Sequence, residues 1–540
     1  MESPHSSTSE KQKYAEDDGK KPAVSHLEGM THRPYFLETE VSGRTVNGLL
    51  ILACITFGSA AFLFGFDNNV ISPVVALEPF VKKYQGPNPV TGKYVFTARN
   101  QNLIFSVPLV GSIFGGMAAS PVNNHWGRKW PLIGSYLISL GGVFLQLFAP
   151  NLAAFVIGRF WNGVLIGIAN ATAPLYLSEV VPPSMRGRAV ATTNILALVA
   201  GVAATLVVYA SHSIDGKLSY MIPLAVQGAL PVILIPLSIA LPESPQWLVS
   251  KERMEEARRN LRKLRGFSDK QVDEELRIMK LCEDNERALS ENVRFWEIFN
   301  RQNLKRTLTA GSFYSLNQIS GIILSTTYAT VFLTELGVGS EFALTVIASC
   351  CTLAGTIAAP FVLDRTGRRP TALTGMSILL VIDVIAGVLA FYIDTNSKAA
   401  LGIAALSFIF NFFWAASFYS ISNLMPAEIA TPKLRNHTMA YTVAWCQTTA
   451  VITTFAVPQL TAADAANLGA KTYLVFAGCM MCIIIFTFFF MPETRGRTFA
   501  EIDEMYDAKI PMWRWRTYET TTEAKQATIL PKEAIMGVGH

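Results

Sequence analysis

The sequence predicts an all-α membrane protein with about twelve transmembrane helices, arranged as two halves of about six around a charged centre. Three observations carry that expectation. The chain has 540 residues, of which 51% are hydrophobic and 16% charged, whereas about a quarter of an average soluble chain is charged. Its apolar residues fall into runs of about 20, the length at which an α-helix crosses the hydrocarbon of a bilayer. Finally, short motifs from the first half return in the second, so the chain reads as a duplication.

Residues 1–45 are rich in Ser, Lys, Glu and His and read as a disordered tail. No cleavable signal peptide is expected, because no apolar region comes early enough, and the first span, at about 46–76, takes that targeting role. Further spans follow at about 101–121, 131–149, 152–176, 188–210 and 220–241, completing a first half over 46–241. Residues 242–306 form a charged interlude opening Pro242-Glu243-Ser244-Pro245. Its charges alternate at helical spacing over 251–259 and 274–277, so it reads as a loop containing helices. Spans resume at about 307–334, 342–363, 371–393, 400–424, 438–460 and 471–491, giving a second half over 307–491. The tail, 492–540, is polar, with Trp513, Arg514, Trp515 and Arg516 expected at the membrane surface.

Basic residues near helix ends set the orientation. Arg128-Lys129, Arg186, Arg188, the central loop, Arg365, Arg368-Arg369, Lys433, Arg435 and the tail from Arg495 all fall on one side. That side is expected to be cytoplasmic, with both termini inside, in a multi-pass plasma-membrane protein. The formal net charge of +5 then requires no nucleic acid partner. All seven cysteines except Cys282 lie in apolar runs, so no disulfide framework is expected, and Cys479 and Cys482 read as packing residues despite their spacing. The sequons at Asn170 and Asn436 fall within a span and on the cytoplasmic side, where neither would be glycosylated.

Three motif pairs establish the duplication. Asn124-His125-Trp126-Gly127-Arg128-Lys129 recurs as Asp364-Arg365-Thr366-Gly367-Arg368-Arg369. Glu179 followed by Arg186 recurs as Glu428 followed by Arg435. Pro242-Glu243 recurs as Pro492-Glu493. A glycine permits a tight turn between spans, and an adjacent basic pair cannot enter hydrocarbon. Glutamates from neighbouring loops can meet that pair at a helix end.

On these motifs the chain resembles a fungal-type sugar porter of the major facilitator superfamily over about residues 46–506. The resemblance implies two six-helix bundles around a central site that opens alternately to each side. It also implies a cytoplasmic charge network that holds the inner ends together when the site faces out. Arg128, Lys129, Glu179, Arg186, Glu243, Asp364, Arg368, Arg369, Glu428, Arg435 and Glu493 would form it. Asn124 departs from the pattern, standing where the family usually has Asp.

Inside the membrane, Asp67 in the first span and Arg159 in the fourth are ionisable groups of opposite sign, costly at that depth and usually functional. By resemblance to proton-coupled sugar porters, Asp67 is the proton carrier and Arg159 its partner. The seventh span carries Asn317-Gln318-Ile319-Ser320-Gly321-Ile322-Ile323 and Thr327-Tyr328, similar to the family's sugar-binding stretch. Gln318, Gly321 and Tyr328 match it, while Asn317, Ile323 and Thr327 are replacements. Ile195 stands where the family generally has Gln, beside Asn194. Asn317, Gln318, Tyr328, Asn194, Gln227, Trp445 and Gln447 are the expected substrate contacts. Each sugar hydroxyl needs a hydrogen-bonding partner once it leaves water, so two lost amides would matter.

The leading expectation is uptake of a sugar or related polyol by alternating access with proton symport. The alternatives are transport of another small polar solute such as an organic acid, export, or a non-transporting sugar sensor. An enzyme is not expected, since no zinc-protease, Walker-type or serine-hydrolase constellation appears. No cofactor, metal or obligate protein partner is implied; the expected partners are the solute, protons and the lipid bilayer.

Overall fold

The computed structural model describes residues 48–521 apart from 267, 291–294, 302, 336–339, 394–396, 432–433 and 498. The expected tail at 1–45, Lys433 and the end of the C-terminal tail lie outside the described residues.

No strand occurs among the described residues, as a bilayer demands of a chain that does not close a barrel: every backbone polar group must be satisfied within its own segment. The first half comprises α1 (Gly48–Ala76), a short α2 (Glu78–Tyr84), α3 (Ala98–Trp126), α4 (Lys129–Leu147), α5 (Leu152–Val180), α6 (Pro183–Ser211) and α7 (Leu218–Ala240). The central region folds as α8 (Pro245–Ser250), α9 (Met254–Arg265) and α10 (Asp269–Ser290). The second half opens on a broken span, α11 (Leu304–Ile319), α12 (Ile322–Ser325) and α13 (Ala329–Glu335). It continues through α14 (Glu341–Thr366), α15 (Arg368–Leu389) and α16 (Ser397–Trp414). A π turn over Ala415–Tyr419 leads into α17 (Ser420–Ile429), followed by α18 (Arg435–Thr461) and α19 (Thr472–Phe490). Among the described residues, 10 helices are long and apolar enough to cross a membrane. The two remaining spans are the broken seventh and α18, which is 27 residues long and rich in threonine.

The central helices pack on themselves. Trp247, Leu248, Ala257, Leu261, Val272 and Leu276 form a small core, and Arg258–Asp273, Arg262–Asp269 and Arg265–Glu275 pairs ring it. Gly266, at φ +67°, ends α9 in the left-handed conformation that favours glycine. The C-terminal segment also folds. Helix α20 (Phe499–Asp507) and a 3₁₀ turn over Met512–Thr517 bury Trp515 completely among Ile502, Met505 and Met512. The sequence expectation placed Trp515 at the membrane surface; three buried apolar neighbours within one segment gave it a core instead. Trp513 is half exposed, its ring against Phe489. Asp503 of α20 pairs with Arg306 of α11 at 2.5 Å, and the Arg306 guanidinium lies 4.3 Å from the Tyr506 ring centroid.

The halves meet through α3 with α18, α6 with α14, and α1 with α13. Several of their bonds lie on the face opposite the charged motifs. Ser72 Oγ accepts the Thr330 N–H at 3.2 Å, the Phe105 and Tyr328 rings lie 4.4 Å apart, and His212 lies against Phe342. Asp464 accepts from Ala98 across the same seam.

Candidate functional site

Three assemblies answer the sequence expectations: a charged clamp at the motif end of each half, a buried ion pair, and a central cavity.

In the first clamp Gly127 turns the chain at φ +93°, and the Glu243 carboxylate sits on the start of α4. It accepts the backbone N–H groups of Arg128 at 3.0 Å and Lys129 at 3.2 Å, and of its neighbour Ser244 at 2.9 Å. An anion at a helix N-terminus gains from both the unpaired N–H groups and the helix dipole. The Arg128 side chain reaches the other way, pairing with Glu179 at 2.8 Å, and Ser244 Oγ donates to Glu179 at 2.5 Å. The second half repeats this. Glu493 accepts from the backbone of Arg368 and Arg369 at 3.0 and 3.1 Å, Arg368 pairs with Glu428 at 3.2 Å, and Thr494 donates to Glu428. Even the second basic residue is used alike: Lys129 Nζ caps the Ile239 carbonyl and Arg369 the Phe488 carbonyl, both at 2.7 Å. Glycine is required at both turns, since a Cβ at Gly127 or Gly367 would stand 2.3 or 2.8 Å from the clamping carboxylate. Each of these clamps lies within one half. Asp364 and Arg435 are exposed, and the Arg186 side chain lies outside the described residues.

Burial pushes the Glu243 carboxyl above the usual range for Glu; the N–H groups of Ser244, Arg128 and Lys129 and the Arg128 charge work in the opposite direction.

The buried pair joins α1 to α5. Arg159 Nη1 donates to Asp67 Oδ1 at 2.7 Å, and both residues are only 3% exposed. Asn162, one turn beyond Arg159, donates to the same oxygen at 3.2 Å, and Gln227 of α7 donates to it as well. Asp67 Oδ2 and Arg159 Nε have no hydrogen-bond partner among the described residues. Thus three donors from two helices converge on one oxygen and leave the other without a donor.

The cavity, about 270 Å³, lies between the halves, with Arg159 in its wall. Of the expected substrate contacts, Gln318 and Gln447 line it. Asn317 stands behind it, accepting from Trp414 Nε1 at 2.8 Å, and the Tyr328 hydroxyl donates to the Thr454 carbonyl at 3.0 Å. Gln227 serves Asp67, Asn194 is exposed on α6, and Trp445 borders a separate apolar crevice between α11, α18 and α19. Ile323 lines the cavity and is 4% exposed, whereas Ile195 is 39% exposed and lies away from it.

Sequence reasoning missed much of the wall. Asn68 and Asn69 of α1 and the hydroxyls of Thr345, Ser349 and Thr352 on α14 all face it. On a membrane helix such hydroxyls bond their own i−4 carbonyls, as these three do, so residue type alone does not mark them. Two backbone irregularities also border the cavity. Gly321, at φ +88°, separates α11 from α12, and the π turn after α16 starts between Trp414 and Tyr419, both in the wall. Non-helical backbone at this depth is tolerated where it lines a cavity, and π turns recur at functional sites. Asp383 of α15 was missed as well; it is fully buried, and its signal was an acid within the apolar run 371–393.

A sequence profile described as "Sugar (and other) transporter" matches residues 51–506. The chain is 32% identical over 482 residues to the major facilitator-type transporter ecdD of Aspergillus rugulosus, covering 86% of this chain and 88% of that one. It is 26% identical to the probable glucose transporter rco-3 of Neurospora crassa, over 89% of this chain and 82% of the relative. It is also 27% identical to the high glucose sensor RGT2 of Saccharomyces cerevisiae, over 85% of this chain and 61% of the sensor. Among solved structures, the inward-open xylose transporter XylE from E. coli superposes with a TM-score of 0.69 at 21% identity, covering 84% of this chain and 99% of that one.

Proposed function

The chain belongs to the sugar transporter family of the major facilitator superfamily, and from that premise we propose that it imports a sugar or related polyol by alternating access, driven by proton symport. The observation that carries the coupling is the Asp67–Arg159 pair beside the cavity, with one carboxylate oxygen saturated by donors and the other bare. A proton taken up on Oδ2 neutralises the carboxylate without displacing any of the three donors. It also weakens the hold on Arg159, which borders the solute. Protonation and solute binding then bias the same equilibrium between states, and each must strengthen the other by the same free energy.

In this reading the motif face is cytoplasmic, both termini lie inside and the protein resides in the plasma membrane. Basic residues near the helix ends support that orientation. The clamps around Glu243 and Glu493 stiffen the inner end of each half, and Arg186, Asp364 and Arg435 are assigned to the junction that closes when the site faces out. Gln318 and Gln447 contact the solute directly. Asn317 and Tyr328 hold the wall, and Gln227 belongs with the coupling pair.

The test is uptake of a radiolabelled panel of hexoses, pentoses, polyols and organic acids into proteoliposomes, with and without an imposed pH gradient. Sugar or polyol accumulation that collapses with a protonophore is expected for the wild type. Asp67→Asn should lose accumulation and keep exchange between internal and external solute. Protonophore-sensitive accumulation in Asp67→Asn would place the coupling elsewhere, and sugar binding without flux would mark a sensor.

A further inference from the structure

Asp383 lies in the middle of α15, at membrane depth, and is 0% exposed. Neither carboxylate oxygen has a hydrogen-bond partner among the described residues. Asp67 has an arginine and two amides, so Asp383 is the opposite case: a carboxylate with no donor. An ionised acid in that position carries a large desolvation cost, which one bound proton removes.

The surroundings provide a route for that proton. Tyr473 is on α19, which packs along α15: a Cβ on Gly387, one turn beyond Asp383, would stand 3.2 Å from the backbone nitrogen of Leu474, the residue after Tyr473. The Tyr473 hydroxyl is itself buried and stands 3.5 Å from Ser325 Oγ. Ser325 ends α12, just after the break in the seventh span, and lines the central cavity. Other titratable groups on the packed elements are engaged elsewhere or lie at the ends. Lys471 covers the Phe391 ring, the Tyr419 ring lies tilted 4.8 Å from Trp414, and Lys398 is in the first turn of α16. Cys350 and Cys351 lie on α14 and Cys479 and Cys482 on α19, none of them bonded to Asp383.

We propose that Asp383 is a second proton-binding site of this carrier, reached from the solute cavity through Ser325 and Tyr473. In each loading event a proton from cavity water passes to Ser325 Oγ as that hydroxyl gives its own to Tyr473 Oη. Tyr473 in turn gives its own, through one bridging water, to a carboxylate oxygen of Asp383. Both hydroxyls and the water end as they began, and the carboxylate becomes a neutral acid that donates back to that water. Because Ser325 sits at the break between α11 and α13, movement of the seventh span makes or severs the first link. Access of the proton to Asp383 thereby follows the conformational cycle. This site is separate from Asp67 and does not depend on Asp67 being the coupling carboxylate.

Infrared difference spectroscopy on the full-length protein in lipid vesicles tests it with protons as the probe. The wild type at neutral pH should show the carbonyl stretch of a protonated carboxylic acid that shifts on transfer to deuterated buffer. The band should vanish in Asp383→Asn, move in frequency in Asp383→Glu and persist in Asp67→Asn. Tyr473→Phe should keep the band and slow its deuteration by roughly a hundredfold, the low end of what a positioned proton donor contributes. Ser325→Ala should slow it likewise, and Ser325→Thr, which keeps the hydroxyl, should restore the rate. A band unchanged in both Asp383 variants, or wild-type deuteration in Tyr473→Phe, overturns the proposal. If Asp67→Asn retains coupled uptake while the Asp383 band behaves as expected, the role of Asp67 falls and this one stands.

Discussion

Both carboxylate oxygens of Asp464 accept the backbone N–H of Ala98, at 3.0 and 3.2 Å. Asp464 follows α18 in the second half, and Ala98 is the first residue of α3 in the first. A second-half acid therefore caps a first-half helix, and it does so on the face opposite the clamps. Opening the cavity toward that face must break this bond. Hydrogen bonds to charged groups contribute about 1.5–3 kcal/mol, so removing the acid should shift the balance between states by roughly tenfold or more. In Asp464→Ala, a cysteine placed at Ser72 should react faster with a membrane-impermeant maleimide from that face. An unchanged labelling rate would mean that the cap forms without contributing to closure.

Ile323 and Ile195 both replace amides expected of a sugar site, yet only Ile323 lines the cavity. Ile323→Asn should therefore improve D-glucose binding by about 2- to 13-fold, the worth of one hydrogen bond of about 0.5–1.5 kcal/mol. Ile195→Gln should change nothing. Quenching of tryptophan fluorescence by glucose is a suitable readout, since Trp414 stands in the cavity wall. Strong glucose binding by the wild type, or an equal gain from Ile195→Gln, would show that the cavity is not organised around position 323.

The Glu243 clamp carries a pH signature whose sign is not the intuitive one. Burial raises this carboxyl above the ordinary Glu range despite its N–H donors. A carboxyl that binds its proton more tightly when folded stabilises the fold at acidic pH, and loses that contribution as pH rises through its raised value. The geometry permits this, because Oε1 accepts from Arg128, Lys129 and Ser244 while Oε2 accepts only from Lys129. A proton on Oε2 leaves most of the clamp intact. Glu243→Gln should match the wild type in acid and equal or exceed it in thermal stability at neutral pH. Glu243→Ala should cost about 1–3 kcal/mol by stranding buried N–H groups. A glutamine variant clearly less stable than wild type at neutral pH would show that the ionised carboxylate is net favourable there.

The clamps and the Asp67–Arg159 contact were legible because their determinants are short in range or opposite in sign. A basic pair after a glycine turn has few places to go but a nearby glutamate, and two buried charges of opposite sign meet in the same core. The cavity was less legible. Asn317 and Gln318 are adjacent amides, yet one faces Trp414 and the other the cavity, because the helix turns about 100° between them. Tyr328 faces Phe105 and Thr454 for a reason the sequence does not display: the break at Gly321 rotates the rest of the seventh span. Trp445, two residues before the cavity-lining Gln447, points into the crevice beside α19 instead.

That break supplies the last prediction. Gly321 holds φ +88°, a region costing an L-residue about 1–2 kcal/mol, and a Cβ there would stand 3.2 Å from the Phe476 Cβ. Gly321→Ala should therefore destabilise the protein by at least about 1–2 kcal/mol, or relieve the strain by straightening the seventh span and withdrawing Thr326 and Thr327 from the cavity wall. Gly478 is the control. It lies within α19 with nothing within 4 Å of its would-be Cβ, so Gly478→Ala should be neutral or stabilising by up to about 1 kcal/mol through helix propensity. Thermal unfolding of the two variants in one detergent, beside fluorescence quenching by the sugar or polyol that the wild type accumulates, separates the cases. Gly321→Ala should lose stability or the cavity response, and Gly478→Ala neither. Equal behaviour of the two would mean that the seventh span tolerates a continuous helix at Gly321, and that the break does not shape the cavity.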